Sequence, residues 1–99
     1  MFHIIENSVV IEEEYVDNVD EELYKCNATL NEKCQIVFDE DSEFTHSLLD
    51  LIASHCYDGN IKIVVDSSHG WPSYWGFSFD GKGNWRKLIG YVNVEWEEE

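Results

Sequence analysis

Several groups of residues in this chain could do chemistry, and the first is a run of triad residue types. The segment Asp66-Ser67-Ser68-His69 contains an acid, hydroxyl groups and an imidazole. A hydrolytic triad needs side chains that converge from fixed positions, and neighbours in one loop rarely supply that geometry. The segment therefore predicts a polar loop at the end of a strand, with His69 free or hydrogen-bonded locally.

The spacing of possible ligand residues does not favour a metal site either. Asp80-Gly-Lys-Gly-Asn84 begins like a calcium loop, but Lys82 stands where an oxygen ligand is needed and Tyr91 replaces the bidentate glutamate. The histidines and cysteines lack the Cys-x-x-Cys and His-x-x-x-His spacings that zinc sites use. These spacings leave open only a zinc site assembled from residues that are distant in sequence. We therefore predict no catalytic residues, no metal and no cofactor. The histidines and cysteines considered as zinc ligands are His3, His46, His55, His69, Cys26, Cys34 and Cys56.

Carboxylates are the most abundant reactive groups in the chain. There are 21 acidic and 6 basic residues, for a net charge of −15, and residues 1–58 hold 15 of the acids. A general acid needs burial to raise its pKa, whereas these acids lie in runs typical of a solvated surface. Such an excess destabilises a compact chain by self-repulsion, so it favours a role in solubility or in binding an electropositive partner. Binding to nucleic acid or to an anionic membrane needs basic residues and is disfavoured.

The length, the first residues and the cysteines predict the organisation and the compartment. A chain of 99 residues fits a single domain, residues 1–99. The first residues lack the basic flank and long apolar run of a signal peptide, and no window is long enough to span a membrane. Three cysteines without framework spacing suggest thiols in a reducing compartment. We expect a cytoplasmic protein.

The apolar spacing predicts an α+β fold, namely a mainly antiparallel sheet with one helix, residues 42–56, packed on it. Phe44, Leu48 and Ile52 share the apolar face of that helix, and Asp41 or Ser42 is positioned to cap it. Strands are predicted over residues 2–5, over 9–16 as a solvated edge, over 34–38 and over 60–66.

Residues 19–30 fit two structures. Tyr24, Cys26, Ala28 and Leu30 alternate like a half-buried strand, whereas Val19, Leu23, Cys26 and Leu30 are spaced like one face of a helix. A turn at 31–33 followed by renewed alternation favours a strand that forms a hairpin.

The most aromatic stretch runs from His69 to Trp85. Its strand places Trp75, Phe77 and Phe79 on one face as core, a glycine turn over 80–84 follows, and a long strand over 85–96 returns with a bend at Gly90. Four tryptophans and five tyrosines exceed what a small core needs, so some must lie near the surface. Aromatic side chains are enriched in binding hot spots. The nine residues predicted to bind a partner are Glu12, Glu13, Glu14, Asp39, Glu40, Asp41, His69, Trp71 and Tyr74.

In small size, acidic balance and aromatic surplus the chain resembles the immunity proteins that neutralise bacterial toxins of the colicin or contact-dependent inhibition kind. The resemblance implies a tight complex with a basic nuclease toxin domain, whose active site the immunity protein occludes. Because such proteins have many unrelated folds, no site residues carry over. On this interpretation the protein is not an enzyme.

Two other functions stay open at this point. A phage-type nucleic-acid mimic that inhibits a restriction or CRISPR enzyme would use the same charge, but with acids spaced along a ridge like phosphates. A small enzyme or ligand-binding module would need a pocket with a perturbed acid or histidine, and the sequence indicates none.

Overall fold

A computed structural model describes residues 2–39, 41–66, 70–90 and 95–99 of the chain. Within them the α+β fold is confirmed: one five-stranded sheet, one two-stranded sheet and two α-helices. The elements in chain order are β1 (Phe2–Asn7), a 3₁₀ turn (Glu13–Tyr15), α1 (Val16–Lys25), β2 (Ala28–Leu30), β3 (Ile36–Phe38), α2 (His46–Ser54), β4 (Gly59–Val65), β5 (Ser73–Phe79), β6 (Trp85–Gly90) and β7 (Trp96–Glu98).

The large sheet is antiparallel throughout, with strand order β1-β4-β5-β6-β7. Alternation along its strands sets the two faces. Ile61 pairs with Phe77 and Ile63 with Trp75, so these side chains share the face that meets the helices. The core on that side contains Val19 and Leu23 of α1, Leu48 and Ile52 of α2, and Ile61, Ile63, Phe77 and Phe79 of the sheet. Phe77 and Phe79 are buried, as predicted, and Trp75 packs half-buried against this core.

Helix α2 is present but shorter than predicted. It begins after Thr45, whose hydroxyl accepts a hydrogen bond from the backbone N–H of Leu48 at 3.1 Å. Ser42 does not cap the helix. Its hydroxyl donates to the carbonyl of Asn27 at 2.6 Å and accepts from the backbone N–H of Asp39 at 2.9 Å, so it fastens the segment before α2 to the end of α1.

The strand predicted for residues 9–16 and the strand favoured over the first part of 19–30 are both wrong. The first segment makes only two isolated bridges, at Val10 and Ile11, before the 3₁₀ turn and α1. Helix α1 then runs to Lys25, because burial of Val19 and Leu23 one turn apart outweighs the local alternation. The predicted hairpin is confirmed beyond that point, where β2 pairs with β3.

The single long strand predicted over residues 85–96 is also wrong. Strand β6 ends at Gly90, and β7 pairs antiparallel with it so that Gly90 lies opposite Trp96. A Cβ at residue 90 would lie 2.7 Å from the Cβ of Tyr74 and about 3.0 Å from the ring of Trp96. Because residue 90 is glycine, the Trp96 ring can lie directly on β6. The rings of Tyr74 and Trp96 meet edge-on, with 6.3 Å between their centroids.

Candidate functional site

Three segments that are distant in sequence meet beside the C-terminal end of α2. The backbone N–H of Glu12 donates to the carbonyl of His55 at 2.8 Å, and that of Tyr57 donates to Val10 at 3.0 Å. The β5–β6 turn reaches the same place, since a Cβ at Gly81 would lie 2.9 Å from the backbone nitrogen of Asp58. The ring of Tyr15 stacks on His55 at 4.1 Å between centroids.

This convergence brings carboxylates of three segments into one region beside Tyr57. Glu12, Glu13 and Glu14 line a shallow depression of about 460 Å³ together with Tyr57, and Tyr57 is 57% exposed. Asp58 and Asp80 complete the group through the contact of the β5–β6 turn. We call these five acids with Tyr57 the acidic surface. One basic residue, Lys82, is exposed in the same turn, directly after Gly81.

The convergence of acids has an electrostatic effect on the buried thiol of Cys56. Burial raises the pKa of Cys56 to about 11, and the nearby carboxylates of Glu12, Asp80 and Asp58 add to the rise. Three acids from three separate segments therefore act on one sulfur atom. Among the five, Asp80 is fixed most firmly, because Oδ2 accepts from the Asn84 side chain at 3.0 Å and Oδ1 accepts from the backbone N–H of Lys82 at 2.7 Å. These hydrogen bonds lower the pKa of Asp80 and keep it ionised.

The pKa of Cys56 gives a testable pH dependence. In the unfolded chain the thiol titrates near 9.0, so between pH 9 and 11 the unfolded state releases a proton that the folded state keeps. Stability is therefore fully present below pH 9 and is lost as the pH rises to 11, by about 1–2 kcal/mol from this group. Urea unfolding at pH 8 and 10.5 should show a larger loss for the wild type than for Cys56→Ala. Equal losses of unfolding free energy in the two proteins would contradict the raised pKa of Cys56.

Helix α1 extends the negative field away from the acidic surface. Asp17, Asp20 and Glu21 lie exposed on the face opposite the buried Val19 and Leu23. Like charges at this spacing cost a helix about 0.2–0.5 kcal/mol per pair, which offsets the stabilisation that Asp17 gives in the first turn of α1. Tyr24, 81% exposed, ends the same face.

The second predicted acidic cluster lies elsewhere. Asp39 and Asp41 come before the N-terminal end of α2, whereas Glu12 contacts its C-terminal end, so about 14 Å of helix separates the two clusters. Asp39 is also occupied, since its Oδ1 accepts from the backbone N–H of Asp41 at 2.8 Å. Of the predicted contact residues, Glu40 and His69 lie outside the described residues.

The two predicted aromatic contact residues have different surroundings. Trp71 is 79% exposed, as a contact residue must be. Tyr74 is half-buried on the outer face of the sheet, against Trp96, and Lys62 places its Nζ 5.2 Å from the centre of that indole. Tyr74 therefore has a packing role whether or not it meets a partner.

A cleft of about 760 Å³ between α2 and strands β5 and β6 is a further site, one that the sequence did not predict. Phe44, Trp75, Phe77 and Trp85 line it, with ring centroids 5.4–5.8 Å apart for the neighbouring pairs. Trp75 was predicted to be core and is instead shared between core and cleft. The indole Nε1 of Trp85 donates to Asp50 Oδ1 at 2.8 Å, which joins β6 to α2 at the cleft.

Within the described part of the chain, no group of three or more acids, histidines or cysteines is arranged to hold a metal ion. No helix there is long and apolar enough to cross a membrane. Comparison with known protein families, with curated proteins and with solved structures finds no match to this chain.

Proposed function

We propose that this protein is an acidic inhibitor that binds a basic protein, and that its partner is a nuclease toxin domain which it occludes in the cytoplasm, as immunity proteins do. The observation that carries the proposal is the acidic surface. Three glutamates line a depression with one exposed tyrosine, and Asp58 and Asp80 lie on the segments that pack beside it, so an aromatic side chain is combined with a charged surround.

The physical mechanism follows from the charge. A net charge of −15 attracts a basic protein over several ångströms, and the acidic surface favours one orientation of that protein before contact. The surface by which a nuclease binds its substrate is basic because it contacts phosphates. Carboxylates of the acidic surface then occupy the space of those phosphates, while Tyr57 and the exposed Trp71 supply apolar contact area.

The geometry supports a compact patch better than a phosphate-like ridge. Helix α1 is about 15 Å long and carries Asp17, Asp20, Glu21 and Glu22, or roughly one acid per 4 Å. Duplex DNA carries one charge per 1.7 Å of axis. Lys25 also pairs with Glu22 at 3.7 Å, which reduces the charge at the end of the helix. A nucleic-acid mimic is therefore the second candidate.

Isolation of the native complex tests the proposal. At low salt the protein should be recovered with one basic protein at a 1:1 ratio, and the complex should dissociate as salt screens the charges. The recovered partner should have nuclease activity that one equivalent of this protein abolishes. A stoichiometric partner that is a restriction or CRISPR enzyme would favour the mimic, and recovery of no basic protein would contradict both.

A further inference from the structure

The cleft between α2 and strands β5 and β6 has features that the acidic surface does not explain. It combines aromatic rings with a carboxylate that is held in place at their side. Asp50 is exposed on α2, and its Oδ1 accepts the indole N–H of Trp85 at 2.8 Å. Among the described residues the Asp50 side chain makes no other hydrogen bond. Its Oδ2 can therefore accept one from a ligand.

The rings of the cleft support one another. Trp85 meets Phe77 edge-on at 5.8 Å and His46 edge-on at 5.4 Å, and Phe44 meets Trp75 edge-on at 5.5 Å. Rings in such contacts have fixed orientations, so an occupant does not have to order them. An aromatic face attracts a cation, by about 0.5–2 kcal/mol depending on exposure.

The charges around the cleft also favour a cation. Lys87 lines it, but its Nζ lies 3.4 Å from a carboxylate oxygen of Glu99, which offsets its charge. Asp50 adds a negative charge without a basic partner among the described residues. An anionic ligand would meet this carboxylate and the field of a chain with a net charge of −15.

We propose that this cleft receives an arginine side chain of the basic protein partner, with the guanidinium paired to Asp50 and lying against the indole of Trp85. Arginine fits better than lysine, because its planar group can stack on a ring while it donates hydrogen bonds to a carboxylate in the same plane. The proposal rests on the proposed function, since it assigns one anchoring contact of that complex.

The cleft lies next to the acidic surface. Trp85 follows Asn84, whose side chain donates to Asp80 of the acidic surface at 3.0 Å. A single turn of chain, residues 80–84, therefore connects the two sites. A basic protein that approaches the acidic surface brings its neighbouring side chains to the mouth of the cleft.

A pair of blocked tripeptides tests the pocket without the partner. Gly-Arg-Gly and Gly-citrulline-Gly have the same shape at the central residue, but only the first is charged. In a ¹H–¹⁵N spectrum the arginine peptide should shift the indole signals of Trp85 and Trp75 and bind at least ten times more tightly than the citrulline peptide. Asp50→Asn keeps an oxygen for the Trp85 hydrogen bond and should weaken arginine binding about tenfold. Glu32→Gln, which removes an exposed charge outside the cleft, should change it less than twofold.

The outcomes separate this inference from the proposed function. Equal binding of the two peptides would overturn the arginine pocket in favour of a neutral ligand, and binding of neither would overturn it outright. Equal effects of Asp50→Asn and Glu32→Gln would overturn the role of Asp50. If the native complex forms and Asp50→Asn leaves its affinity unchanged, the pocket fails while the proposed function stands. If the arginine peptide binds selectively and no basic partner exists, the pocket stands and the proposed function fails.

Discussion

Reversing the charge of Glu12, Glu13 and Glu14 to lysine is expected to slow association with the basic partner by about 10- to 100-fold. Electrostatic steering raises association rates by 10–10³, and these three acids face one depression beside Tyr57. Each substitution changes the local charge by two units in the centre of the acidic surface. Stopped-flow mixing at low salt measures the rate directly, and most of the difference should disappear at 1 M salt, where the Debye length is about 3 Å.

The matched control is reversal of Asp39 and Asp41, at the other end of α2, compared with reversal of Glu13 and Glu14 alone, because each pair changes the net charge by four units. Asp39 and Asp41 carry the same kind of charge but lie about one helix length from the acidic surface, so their reversal should slow association less than threefold. Equal effects of the two variants would mean that net charge alone drives association. A dominant effect of Asp39 and Asp41 would place the interface at the N-terminal end of α2. Circular dichroism of each variant checks that the fold is retained.

The region from α1 to β3 shows what local patterns can predict. Two periodicities overlap in residues 19–30, and the structure contains both in succession: a helix to Lys25 and a strand from Ala28. The change occurs at Asn27, which has a φ of 61°. Asparagine tolerates this left-handed conformation and, after glycine, is the residue found at such helix ends. Its position between the two patterns was the signal that could have resolved them.

The two candidate sites depend on contacts that no local pattern contains. The sequence predicts that the acids at 12–14 bind a partner, but their proximity to Asp58 and Asp80 follows from tertiary packing around Cys56. The pair of Trp85 and Asp50 joins residues 35 positions apart. Asp50 lies on the exposed face of α2, and only the packing of α2 against β6 gives that exposed acid an indole partner.

Gly76→Ala is expected to lower the free energy of unfolding by about 3 kcal/mol, near the upper end of overpacking effects. Gly76 lies in the middle of β5, between Lys62 of β4 and Leu88 of β6. An added Cβ would collide with the carbonyl oxygen of Ile61 and come within 3.0 Å of the Cα of Lys62. Both are backbone atoms inside a paired ladder, so they cannot move away without disturbing hydrogen bonds on β4. Urea denaturation measures the loss.

Ser78→Ala is the control, because Ser78 lies two residues further along the same strand and on the same face. It already has a Cβ, so its truncation should cost less than about 1 kcal/mol. The contrast tests the sheet that supports both sites, since β5 contributes Trp75 to the cleft and leads directly into the turn that carries Asp80. Similar unfolding midpoints for the two variants would show that β4 and β5 do not approach as closely at Gly76 as this register requires.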